Sequence, residues 1–105
     1  IKRSSGRKEQ GRRCPSHRAW VRNHACIACG GQSAIECAHV RSGTDGGTGI
    51  KPSDKWMVSL CRECHARQHQ IGEAAFEKAW GINLKAMAEL FFRGSPHRHK
   101  LEERE

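Results

Sequence analysis

Apolar positions are sparse along this chain and fall in short runs. Residues 1–14 are polar, rich in Gly, Ser and Arg, and without apolar periodicity, the composition of a flexible basic arm. Ser16 is placed to cap a short helix through about Asn23, with Trp20 and Val21 as its buried residues. Ala34 to Val40 alternates weakly and reads as a strand; Met57-Val58-Ser59-Leu60 reads as a second. A glycine-rich loop over residues 42–54 separates them. A helix is expected from about Arg62, carrying His65 and His69 on one face, because side chains at i and i+4 are neighbours. Phe76, Trp80, Leu84, Met87 and Phe91 then recur at helical spacing, as a core stripe does. Gly81 interrupts the stripe and Asn83 can cap a new helix, with Ile82 and Met87 as a hydrophobic staple. The pattern thus predicts helices at about 73–80 and 84–92, a domain over 15–93, and a frayed polar tail over 94–105.

Composition adds a constraint. With 105 residues and 36% hydrophobic content, the core of a single domain is small and calls for a staple other than burial. Two Cys-x-x-Cys pairs, Cys26/Cys29 and Cys61/Cys64, supply one: two thiolates two residues apart can share a tetrahedral metal, and two pairs complete a structural four-cysteine zinc site. Disulfides are the alternative use of six cysteines. The paired spacing and the lack of an apolar signal segment favour zinc. Cys26-Ile27-Ala28-Cys29-Gly30-Gly31 has the form of a knuckle, a tight turn whose backbone amides point at the sulfurs. Cys14 and Cys37 fall outside the pairs and read as ordinary thiols. His65 and His69 are surplus to a four-cysteine site and available for chemistry.

Charge points to a partner. The net charge is +8, and residues 1–22 hold eight basic side chains against Glu9 alone. That is the footprint of a phosphate-backbone binder, with Arg12, Arg13, Arg18 and Arg22 as contacts; a solubilising tail is the plainer reading. No stretch is long and apolar enough to span a membrane.

The order of these parts resembles the HNH (ββα-metal) endonuclease family, especially small phage-type members including the recombination-enhancing phage nucleases. The matching residues are Cys26-Ile-Ala-Cys29-Gly30, Ala38-His39-Val40-Arg41, Gly49-Ile-Lys-Pro52-Ser-Asp54, Leu60-Cys61-Arg-Glu-Cys64-His65 and Gln68-His69, with Gly72-Glu73 and Phe76-Glu77 downstream. The resemblance implies a small α+β fold: a ββα-metal, treble-clef-like core with a structural four-cysteine zinc site and added C-terminal helices. It implies a metal-dependent DNA endonuclease of bacterial or phage-infected cytoplasm, with a recombination or phage protein as partner class. His39 matches the general base, and His65 and His69 match positions that hold one Mg²⁺ or Mn²⁺ ion. Arg41 and Lys51 flank the glycine-rich loop as phosphate contacts. Two departures stand out: Ala38 replaces the usual ligand before the base, and Trp56 replaces a middle Asn. Asp54 is the nearest polar residue able to ligate metal or orient His39, with Glu36 and Asp45 behind it. Two other readings fit the same cysteines: a non-catalytic zinc-binding nucleic-acid module, and a cross-brace or treble-clef module docking an acidic protein.

Overall fold

The computed structural model describes residues 13–46 and 51–101. It is a small α+β fold of α1 (Pro15–Arg22), β1 (Ile35–His39), β2 (Met57–Cys61), α2 (Arg62–Ile71), α3 (Glu73–Trp80) and α4 (Leu84–Gly94), followed by a 3-10 turn over Arg98–Lys100. The strands pair antiparallel, from Ile35 opposite Cys61 to His39 opposite Met57. All of Met57, Val58, Ser59 and Leu60 are buried, so β2 runs through the core. Its Ser59 also holds the segment before the first cysteine pair: Ser59 Oγ donates to the Ala25 carbonyl at 2.7 Å, and the Ile27 amide donates to the Ser59 carbonyl at 3.0 Å. Val21, Val40, Phe76, Leu84, Ala88 and Phe91 close over the sheet.

The helix boundaries follow local chemistry. Cys61 ends β2 and caps α2, its Sγ accepting from the Cys64 amide. Gly81 takes a left-handed conformation (φ 66°) that a side chain would strain, and this ends α3. The N-terminus of α4 is capped twice, by Asn83 Oδ1 on the Ala86 amide at 2.8 Å and by Glu77 Oε2 on the Leu84 amide at 2.7 Å. One such cap contributes about 1 kcal/mol.

Five expectations are corrected. Helix α1 starts at Pro15, after Cys14, and Ser16 makes no cap because it already lies in the first turn. The buried residues of α1 are His17 and Val21, whereas Trp20 is half-buried against His24 and Phe91. Trp80 is 43% exposed, because Gly81 turns the chain and Leu84 takes over the core stripe. The segment from Ser95 to Leu101 is docked rather than frayed: both of those residues are buried, and Ser95 Oγ lies 2.8 Å from His17 Nδ1. Residues 13 and 14 likewise belong to the body, with Cys14 buried; the rest of the basic arm and residues 102–105 lie outside the described residues.

His17 makes stability depend on pH. Its side chain is fully buried and its Nε2 has no partner, and burial lowers its pKa from 6.5 to about 4 against a smaller opposing pull from Asp54. The unfolded chain binds that proton first. The contribution is therefore complete above about pH 6.5 and lost as pH falls toward 4, up to about 3 kcal/mol. Urea unfolding across this window is expected to weaken steadily with acid, and His17→Leu to weaken less over the same interval.

Candidate functional site

The Sγ atoms of Cys26, Cys29, Cys61 and Cys64 lie within 4.8 Å of one another, with Cys29 and Cys61 3.8 Å apart. A tetrahedral zinc with sulfur at about 2.3 Å requires sulfurs about 3.8 Å apart, so the four cysteines fit a structural metal site such as zinc. Backbone amides already point at three of the sulfurs: Cys29 N to Cys26, Gly31 N to Cys29 and Cys64 N to Cys61, at 3.4–3.5 Å. Gly30, with φ 79°, permits the turn that aims the first two. Burial opposes the Cys26 thiolate, yet amide donors from Cys29, Cys61 and Ala28 outweigh it and bring the thiol down to about 7. Burial and the neighbouring sulfurs push Cys64 the other way. A cation removes that conflict by replacing the protons.

Beside this centre, the face of α2 meets β1 along an open cavity of about 510 Å³. His39, His65, Gln68 and His69 line it, and Arg41, Lys51 and Glu73 share its wall. His65 Nδ1 lies 2.8 Å from Glu36 Oε1, and His65 Nε2 lies 3.2 Å from His69 Nε2. With Nδ1–H given to the carboxylate, Nε2 of His65 keeps its lone pair toward His69. Two imidazoles on one tetrahedral metal at about 2.1 Å would have their nitrogens about 3.4 Å apart. The observed 3.2 Å is near that spacing and is also the distance of a hydrogen bond between the two rings. Glu36 therefore stands behind His65 rather than beside His39.

His39 has its own carboxylate. Its Nε2 is 3.0 Å from Asp54 Oδ1, and Asp54 Oδ2 accepts the Cys14 amide at 2.7 Å. Asp54 is fully buried, which opposes ionisation, but the His39 and Cys14 hydrogen bonds outweigh burial and hold its carboxyl below the usual value. With both oxygens hydrogen-bonded, Asp54 is placed to orient His39 and not to reach a metal. Asp45 stays out of the site; its Oδ1 accepts the Ser53 amide at 3.0 Å.

The departures also find places. Ala38 is fully buried opposite Val58, so the core fills that position and it supplies no ligand. Trp56 packs against the core with the Lys55 and Lys85 ammonium groups over its ring, while its carbonyl accepts the Val40 amide. Among the arginines, Arg13 and Arg18 turn to Asp54, with Nη1 atoms 3.5 and 3.8 Å from Oδ1. Arg22 lies 3.9 Å from Cys37 Sγ. Arg41 and Lys51 line the cavity, and Arg12 lies outside the described residues.

Two residues that the sequence motifs contain without a stated role also stand here. Gln68 is 3% exposed and its Nε2 has no partner, although it lies one turn from His65 on the face already singled out. Glu73 accepts both the Arg41 and Ser42 amides, at 2.7 and 3.0 Å, and so fixes the chain as it leaves β1.

A family model described as a protein of unknown function, DUF968, matches residues 6–95. The chain belongs to the DUF968 family. It is 36% identical over 74 residues to the uncharacterized protein YdfU of Escherichia coli (strain K12). That match covers 70% of this DUF968 chain and 20% of YdfU, so the chain spans about a fifth of that relative's length. No solved structure matches it. No helix among the described residues is long and apolar enough to cross a membrane.

Metal at the four cysteines would supply folding free energy directly. A strong zinc chelator is accordingly expected to abolish the cooperative thermal transition and most helical circular dichroism, with re-addition of zinc restoring both. A chelated chain that melts as before would show that the cysteines do not staple the fold.

Proposed function

We propose that this chain is a metal-dependent DNA endonuclease of the HNH type, its β1, β2 and α2 forming a ββα-metal core around a structural zinc. One observation carries the reading: a carboxylate-held histidine and a convergent histidine pair line the same cavity, with Arg41 and Lys51 in its wall. Phosphodiester hydrolysis needs a base for water and positive charge for the phosphorane-like transition state.

His39 is suited to be the base. Asp54 Oδ1 accepts from Nε2, which leaves Nδ1 as the proton acceptor of a neutral imidazole. His65 and His69 would hold the Mg²⁺ or Mn²⁺ ion, with Glu36 fixing the His65 ring. Such an ion, when bound, supplies charge to a phosphate oxygen and to the leaving oxygen. Arg41, its backbone pinned by Glu73, and Lys51 add charge for the flanking phosphates. Residues 1–12 hold Lys2, Arg3, Arg7, Lys8 and Arg12 and would add affinity that is independent of sequence.

The second reading, a zinc-binding nucleic-acid module without catalysis, is favoured by Ala38, which leaves two histidines as the divalent-ion ligands. Plasmid relaxation with Mg²⁺ or Mn²⁺ separates the two. The nuclease reading expects nicking by the zinc-loaded chain, with His39→Ala and Asp54→Asn slower by roughly 10²–10⁴-fold at unchanged zinc content and DNA affinity. Binding without nicking in the wild type would favour the module. Removal of residues 1–12 is expected to weaken DNA binding and flatten its salt dependence while leaving the rate at saturation unaltered. A salt slope that survives the truncation would make that segment a tail.

A further inference from the structure

The segment before α1 enters the cavity's chemistry through Asp54. This carboxylate is fully buried, and three cationic or potentially cationic side chains share its Oδ1: His39 Nε2 at 3.0 Å, Arg13 Nη1 at 3.5 Å and Arg18 Nη1 at 3.8 Å. The Cys14 amide takes Oδ2, and Arg13 Nη1 also donates to the Pro52 carbonyl at 3.0 Å, two residues before Asp54. Residues 13, 14 and 18 therefore hold the aspartate together with His39.

The state of Asp54 decides what His39 can do. An ionised carboxylate accepts Nε2–H and leaves Nδ1 free to take a proton. A protonated Asp54 would donate to Nε2 instead, and the ring proton would move to Nδ1, where it blocks the base. Burial by itself favours the protonated form. The hydrogen bonds from His39 and the Cys14 amide offset it first, the charge of Arg18 adds to them, and the Arg13 guanidinium stands 3.5 Å from the same oxygen.

We infer that Arg13 and Arg18 are positioning residues, holding Asp54 as an acceptor and His39 in the tautomer whose Nδ1 accepts a proton. This rests on the nuclease reading for its consequence and on the Asp54 geometry for its cause. It also separates these two arginines from the phosphate contacts that a basic segment ordinarily makes.

The test uses the full zinc-loaded chain and four variants, Arg13→Gln, Arg18→Gln, Arg13→Lys and Arg18→Lys, together with the double Gln variant. Nitrogen-15 NMR of the histidine rings reads the His39 tautomer without any need for turnover. The Gln variants, the double variant most of all, are expected to move His39 from Nε2–H toward Nδ1–H. Their kcat in a plasmid-nicking assay is expected to fall about tenfold, a share of the roughly 10²–10⁴ that a general base supplies, with KM within about twofold. The Lys variants restore most of both signals. An unmoved tautomer in folded Gln variants overturns the inference. So does an unchanged kcat with a DNA-binding salt slope reduced by about one per arginine, the mark of a phosphate contact. A wild type that cleaves nothing counts against the nuclease reading alone, because the tautomer measurement still reports on the Asp54 link.

Discussion

Four sulfurs drawn into one cluster are the constraint on which the rest of this small fold depends. The core is thin, and of the two described strands β2 is the one buried along nearly its whole length. Cys61 is the last residue of that strand and the cap of α2, so fixing its sulfur fixes the direction in which α2 leaves the sheet. The partner pair comes from a knuckle that Ser59 already ties to the same strand. A tetrahedral metal joining the two pairs would therefore lock strand, knuckle and helix start at one point. His65 and His69 follow Cys64 by one and five residues on that helix, so the cysteine cluster also sets where they stand relative to His39.

A second centre of organisation forms around Asp54. It gathers His39, the Cys14 amide and two arginines around a fully buried carboxylate. Buried charge is costly unless it is hydrogen-bonded and compensated, and here four groups from α1, its preceding residues and β1 do that together. The result couples the N-terminal segment to the sheet through one side chain. Glu36 behind His65 repeats the device on a smaller scale. His39 and His65 thus each have a carboxylate fixing one ring nitrogen and leaving the other available.

Much of this was legible in the sequence because short-range rules govern it. The two strands, the helix from Arg62, the break at Gly81 and the Asn83 cap follow from alternation, glycine conformation and capping, all local effects. The cysteine cluster followed from spacing, since two Cys-x-x-Cys turns present sulfurs in one geometry. What escaped was decided by contacts between distant residues. His17 is a core residue because Ser95 and the C-terminal segment cover it, 78 positions away in the chain. Arg13 and Cys14 look like arm residues until Asp54 is brought beside them, 40 positions from Cys14. Gln68 lay within a motif already singled out, but its burial and missing partner are properties of packing that periodicity does not reveal. Trp80 shows the reverse error: helical spacing put it on the core stripe, and the turn at Gly81 took it off.

If the fold is built as described, the four cysteines take the structural metal by themselves and leave His65 and His69 to the cavity. X-ray absorption at the zinc K-edge on the purified, zinc-loaded chain tests it most directly. The expected spectrum has four sulfurs at about 2.3 Å from zinc and no nitrogen. A shell containing nitrogen in place of a sulfur would put a histidine into the structural centre and contradict it.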